Sequence, residues 1–433
     1  MASYVIAAVC AASVCLSAMI YLRVRRRGTA TQHVETPAAH PRTMTYDELA
    51  ALVAENATLD PRTSEGVGAM FALAGQLVGE PEFATPRVVS MGHGSHHFST
   101  EFVARRMLRI ARDTGNPAAG VAWFRKASTV SKATGAAVKA LYGVSCSGPV
   151  PVTDTVALLP FLSLPTSEIR EWIIAYHERA NEGVSLRGFT PFPSAALYRA
   201  GTLEPVFTEP QAKLSDSQAS VWFDELDEAG MLLALVPHAI PAEVAHWVHM
   251  DDPDVALLVP AGISRSNSPD VEPPPFHVAP EIDAAQVAGL VSAYRKLPKH
   301  HRNRVALAIG RLLRGRCQTN PGNRAIDVAT ALEVLFMNTE RDEHSYKISL
   351  RAARLLREGM AARRKVFAEV RNVYDIRSGM VHTGSADNES NVDGVKRTAH
   401  DVVEVVDVVC TDAIRKFLAM GSIPENWRDI ELS

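Results

Sequence analysis

The chain has 433 residues, of which 47% are hydrophobic and 21% charged, with a formal net charge of −3. This composition excludes wholesale disorder and gives room for two or three domains at about 100–200 residues each. Charge is uneven: residues 281–433 carry 24 Lys and Arg against 20 Asp and Glu, a net of +4, and residues 1–280 carry 21 against 28, a net of −7.

Residues 2–22, "ASYVIAAVCAASVCLSAMIYL", hold no charge over 21 positions. As a helix they would extend roughly 31 Å, enough to cross a bilayer core. No Lys or Arg precedes this run, as a cleaved signal peptide would want, and Arg23, Arg25, Arg26 and Arg27 follow it. The expectation is a single transmembrane anchor with the bulk of the chain cytoplasmic. An atypical signal peptide and a tail buried against the protein are the alternatives. Residues 23–43 form a basic flank and a Pro-bearing juxtamembrane linker.

Ordered pattern begins at residue 44. Helices are predicted over 45–56, with Thr45 as N-cap, over 99–115, ending at Gly115, and through 118–143. Short apolar or alternating runs at 150–164, 183–201 and 253–262, punctuated by Pro and Gly, read as strands, with a helix over 166–180. Residues 44–265 are thus expected to form an α+β domain. Its role is not assigned by the sequence; a sensory or regulatory one is expected, with an unknown ligand or protein partner.

The Ser- and Pro-rich stretch 264–280 is the best internal boundary, with the linker itself at 266–280. Beyond it, amphipathic periodicity predicts helices over 284–297, 303–316, 323–338, 345–360, 363–382 and 392–421. Six such helices with short loops imply an all-α bundle over 281–421, leaving a tail at 422–433. The net positive charge makes this part the likelier seat of an anionic partner such as nucleic acid.

Three blocks in this bundle stand out: "NRAIDVATALEVLF" (323–336), "HSYKISLRAARLL" (344–356) and "VYDIRSGMVHTG" (373–384). Together, and in this order, they resemble the HEPN domain family, in particular its ApeA-like subfamily. The resemblance covers roughly residues 284–420. It implies a helical bundle that dimerises through the face carrying the R-x4-H motif. It also implies metal-independent cleavage of RNA in a defence or stress response, with 2′,3′-cyclic phosphate ends. On that reading Arg377 and His382 are the catalytic residues, and Ser378, Asp375, Tyr374 and Arg351 support them. Ser378 stands where family motifs often carry Asn, Asp or His, and Thr383 intervenes before Gly384.

The chemistry suits the residue types. An imidazole can move a proton to or from a 2′-hydroxyl or a leaving oxygen near neutral pH, and a guanidinium can hold the phosphate as charge grows. Five helical steps nevertheless leave Arg377 and His382 about 140° apart, so a second protomer, or distortion at Gly379, is needed to bring such groups together.

Arg363, Arg364, Lys365 and Arg371 precede the motif as candidate contacts to single-stranded RNA. A second basic run spans Arg295 to Arg316, with eight Lys and Arg and no acid. Such runs are more often solvated helix faces. The rival function is a non-catalytic HEPN module that binds RNA or protein, or only dimerises, within a membrane-tethered receptor.

Elsewhere the signals are weak. "MGHGSHH" offers His93, His96 and His97 without an acidic or Cys ligand beside them, and "GVSCSG" misses the nucleophile-elbow pattern at Ser147. Cys10, Cys15, Cys146, Cys317 and Cys410 form no CxxC pair, which points to a reducing compartment. No cofactor and no metal is expected.

Overall fold

In the computed structural model the described residues are 43–61, 63–90, 95–181, 192–210, 217–258, 278–337, 343–385, 389–392 and 395–432. Two compact units divide the chain: residues 1–44 with 79–81, and residues 45–78 with 82–433. In the smaller unit the Met44 N–H donates to the Glu80 carboxylate at 2.8 Å. All elements named below belong to the larger.

The larger unit opens with helices α1 (Tyr46–Ala57) and α2 (Ser64–Leu77), strands β1 (Val88–Ser90) and β2 (Ser95–His97), and helices α3 (Thr100–Thr114) and α4 (Pro117–Ala127). The predicted caps are present. Thr45 and Glu48 form a reciprocal capping box at the head of α1, and Gly115 ends α3 in a left-handed conformation that glycine adopts without penalty.

Next come β3 (Ala133–Tyr142), β4 (Val150–Pro151), β5 (Ala157–Pro160), α5 (Glu168–Asn181), β6 (Ala195–Leu203), β7 (Phe207–Thr208), α6 (Gln218–Leu233), β8 (Ala242–Met250) and the single turn α7 (Pro253–Ala256). Five of the strands make an antiparallel sheet in the order β4-β5-β6-β3-β8, and β2-β1-β7 make a smaller one. On one face of the larger sheet Ala136, Val138 and Ala140 of β3 pack with Trp247 of β8 and with Ile169 and Ile173 of α5. One residue out of phase, Lys139 is partly buried and pairs with Asp227 of α6 and with Glu243. The period-2 pleat thus sends an apolar set to α5 and a salt-bridged lysine to α6.

The helix expected through 118–143 is therefore corrected: it stops at Ala127, and 133–142 is an interior strand paired on both sides. Alanine favours helices locally, but here small side chains let helices approach both faces of the sheet. Gly135 is needed for the same closeness, since a Cβ there would lie 2.2 Å from the His249 carbonyl oxygen. Gly135→Ala is expected to cost ~1–3 kcal/mol, read as a lower urea midpoint. An unchanged midpoint would mean the strands can spread freely at this point. The strand expected at 253–262 is likewise corrected where residues are described: Pro253–Ala256 form the turn of α7, and the strand lies before it as β8, while 259–262 lie outside the described residues.

The helical part runs α8 (Ala284–Val287), α9 (Leu290–Lys296), α10 (Lys299–Arg316), α11 (Pro321–Phe336), α12 (His344–Leu356), α13 (Met360–Thr383), the hairpin β9 (Glu389–Val392) and β10 (Val395–Thr398), α14 (Ala399–Met420) and α15 (Arg428–Leu432). The helix expected from 392 begins only at Ala399, capped reciprocally by Thr398 and Asp401, and β10 occupies the residues before it. The region is thus a bundle with one hairpin, rather than all-α.

Its core is a continuous apolar seam that includes Ile309 and Leu312 of α10, Leu332 and Phe336 of α11, Val370 and Val373 of α13, and Ile414 and Phe417 of α14. The residues after 421 join it: Trp427 is buried and packs on Phe336 and Phe417.

The transmembrane part of the expected fold, and the single-pass membrane placement that went with it, are corrected. No helix of the described residues is long and apolar enough to cross a membrane. The two longest, α13 and α14, are amphipathic, and charged residues such as Asp401, Glu404, Asp407 and Asp412 recur along α14. Residues 2–22, on which the expectation fell, lie outside the described residues, as does most of the linker expected at 266–280.

Candidate nucleic-acid interface

Helix α13 carries most of the residues singled out from the sequence. It runs without a break over 24 residues and ends at Gly384, whose N–H donates to the Met380 carbonyl at 3.1 Å. Gly379 therefore introduces no distortion, and Arg377 and His382 leave the helix in different directions, as ideal geometry requires.

The helix sorts its candidates into two groups. Arg364, Arg371, Asp375, Ser378 and His382 are all exposed. Their spacings of seven, four, three and four residues place them within an arc of about 60°. They form one solvent-facing stripe along the helix. Among the described residues His382 has no side-chain hydrogen-bond partner, and beside it Val381 is 58% exposed. Lys365 is also exposed but lies about 100° round the helix from Arg364. Arg363 is half-buried, its Nε donating to the Arg357 carbonyl at 3.0 Å.

The second group faces the bundle. Arg377 donates from Nη1 to Glu333 Oε1 of α11 at 2.9 Å, and its guanidinium lies 5.8 Å from the centre of the Tyr374 ring. The Tyr374 hydroxyl donates to the Ala329 carbonyl at 3.2 Å. Burial first, and then the charge of Glu333, push the Tyr374 pKa far above its usual value, so this phenol stays neutral. Within one chain, then, the proton-transfer candidate and the phosphate-binding candidate are not brought together. The arginine is neutralised by a carboxylate 44 residues away in sequence.

Arg351 belongs to neither group. It is 2% exposed, donating from Nε to Glu431 at 2.7 Å and from Nη1 to the Phe336 carbonyl at 2.7 Å. Its guanidinium also lies over Trp427. Its role is to tie α15 and the carboxyl end of α11 into the bundle, rather than to support chemistry near Arg377.

The basic run from Arg295 to Arg316 is mostly structural. Arg295 pairs with Glu228, Arg311 and Arg314 with Asp327, and Arg316 with Asp407. Arg304 donates to the Val334, Leu335 and Met337 carbonyls, satisfying the open end of α11. What had the form of a phosphate-binding stretch is largely the wiring of the fold.

Other sequence candidates are resolved in the same way. His96 packs edge-on against Phe102, and burial, then His97 and Arg106, lower its pKa; His93 lies outside the described residues. In "GVSCSG" the Ser145 hydroxyl donates to the Pro280 carbonyl at 3.1 Å, and burial, then Glu281, push the neighbouring Cys146 thiol up to about 11.

A grouping that sequence inspection missed is His300, His301 and Glu425, whose ligand atoms lie within 4.8 Å of one another. His301 Nδ1, however, already accepts the Ile423 N–H at 3.3 Å. A neutral ring then carries its proton on Nε2 and has no lone pair left for a metal.

Compared with known proteins, the chain matches no family model, no curated protein and no solved structure.

Proposed function

We propose that the helical part is a homodimeric HEPN-type module that binds single-stranded RNA along α13 and cleaves it without a metal. The observation that carries this reading is the stripe of Arg364, Arg371, Asp375, Ser378 and His382 on one exposed face of one helix. Two such faces, apposed about a two-fold axis, would supply paired imidazoles and four arginines to a strand lying between them. Arg364 and Arg371 hold phosphates, and His382 transfers the proton. Arg377 reaches the scissile phosphate once it leaves Glu333. The pairing of Arg377 with Glu333 at 2.9 Å specifically favours a second reading, in which the module binds RNA and does not cut it.

The binding step is tested by photocrosslinking labelled single-stranded RNA to the full chain across a salt series. The Arg364→Glu, Arg371→Glu double variant is expected to lose RNA binding by at least about tenfold and to flatten the salt dependence. Unchanged crosslinking in that variant would remove α13 as the RNA-binding face. If RNA is bound through α13 but left intact under all conditions, the second reading holds.

A further inference from the structure

A polar cavity of about 390 Å³ lies where the α+β region meets the helices. It is lined by His238 from the segment between α6 and β8, by Gln318 and Thr319 just before α11, by Arg324 in α11, and by His400 and Glu404 in α14. Arg316 and Ile240 also border it. Its size is that of a pocket for a small molecule, yet Ile240 is the one aliphatic side chain in its lining. Gln318 and Thr319 lead into the N-cap Asn320 of α11, and His400 is the second residue of α14. Two helix starts, with their positive dipole ends, therefore contribute to one cavity.

Hydrogen-bond donors exceed acceptors here. Two guanidinium groups, two imidazoles, an amide and a hydroxyl face a single lining carboxylate, Glu404. Glu404 accepts from Arg324 Nη2 at 2.5 Å and pairs with His238 Nδ1 at 2.9 Å. Arg324 is 8% exposed, and its Nε is buried with no hydrogen-bond partner. Arg316 is matched by Asp407 behind the lining, and Arg324 Nη2 also lies 3.5 Å from Asp407, so Glu404 completes a balanced set of two guanidinium groups and two carboxylates while it holds its place. His238 is held at φ 62°, a left-handed conformation unfavourable for a residue with a Cβ.

We propose that this cavity binds the phosphate group of a small phosphate monoester or of free phosphate. Glu404 is the resident anion that holds the seat when the ligand is absent. Phosphate takes the place of the Glu404 carboxylate against Arg324 and His238 and gains contacts from His400, Gln318 and Thr319. Glu404, about one-third exposed, turns out to solvent. The inference is independent of any activity on α13.

The test is isothermal titration of the full chain at constant ionic strength with inorganic phosphate, with adenosine monophosphate, and with chloride as control. Saturable heats with either phosphate and none with chloride are expected. Tighter binding of the nucleotide identifies an organic monoester as the ligand, and equal or weaker binding identifies free phosphate. Glu404→Gln removes the competing carboxylate and is expected to tighten phosphate binding by about tenfold, while His400→Ala weakens it by a similar factor. Both positions are partly or fully exposed, so both variants are expected to stay folded, as circular dichroism would check. No saturable phosphate binding to the wild-type chain, or binding that Glu404→Gln weakens, overturns the proposal.

Discussion

Replacing Arg316 by alanine is expected to destabilise the protein by ~3–5 kcal/mol, the cost of breaking a buried ion pair. Arg316 and Asp407 are each 4% exposed and meet through paired hydrogen bonds of 2.5 to 3.1 Å. Burial alone would lower the arginine pKa, but the Asp407 carboxylate outweighs it and the net shift is upward, so the guanidinium is charged. Arg316 also donates to the Ala234 and Ala239 carbonyls at 2.6 and 2.8 Å, beyond the end of α6. Truncation leaves Asp407 as a buried charge with one partner fewer, and leaves two backbone acceptors bare. The check is guanidinium unfolding of Arg316→Ala beside an Arg316→Met, Asp407→Leu pair. The double apolar variant is expected to recover much of the loss. If Arg316→Ala alone is neutral, the joint between the α+β region and the helices is not held here.

The second large effect concerns His382. In the proposed ribonuclease, His382→Ala is expected to lower the cleavage rate by about 10²–10⁴-fold, the usual worth of a positioned acid or base. It should leave the melting temperature unchanged, because the side chain is exposed and without a protein partner among the described residues. Arg377→Ala is expected to fall in rate comparably and also to lose a little stability, since it frees Glu333 of a half-buried ion pair. Glu333→Gln discriminates further. Releasing Arg377 should raise cleavage if the pair is a restraint.

Much of the fold was legible locally. Thr45, Ser99 and Gly115 announce their helix ends because capping is decided within a few residues. The helices of the bundle follow from their apolar spacing for the same reason. An interior strand of the larger sheet was not legible. "ATGAAVKALY" has helical propensity, and its strand state is imposed by pairing with β6 and β8, which lie more than 50 residues further on. β8 itself was missed because its burial does not alternate: the neighbours Val244 and Ala245, and again Trp247 and Val248, are all buried, so no period-2 pattern marks the run.

The candidate site divides similarly. The stripe through His382 could be read from spacing alone once α13 is known to be unbroken. Arg377 and Arg351 could not be assigned from sequence, since what decides their roles are Glu333, Phe336 and Glu431, at distances no local pattern encodes. The basic run at 295–316 misled for the reason that charge counts omit partners: Asp327, Asp407 and Glu228 lie outside it.

The central claim, that α13 carries a metal-independent ribonuclease site, is tested most directly by the ends of the RNA it leaves. The full chain is incubated with labelled single-stranded RNA in EDTA, and the products are resolved with and without a phosphatase that opens cyclic ends. The account predicts fragments with 2′,3′-cyclic phosphates that fail to form with His382→Ala or Arg377→Ala while both variants remain folded dimers. Intact RNA from the wild-type chain and from Glu333→Gln alike, or fragments that persist in both site variants, would contradict it.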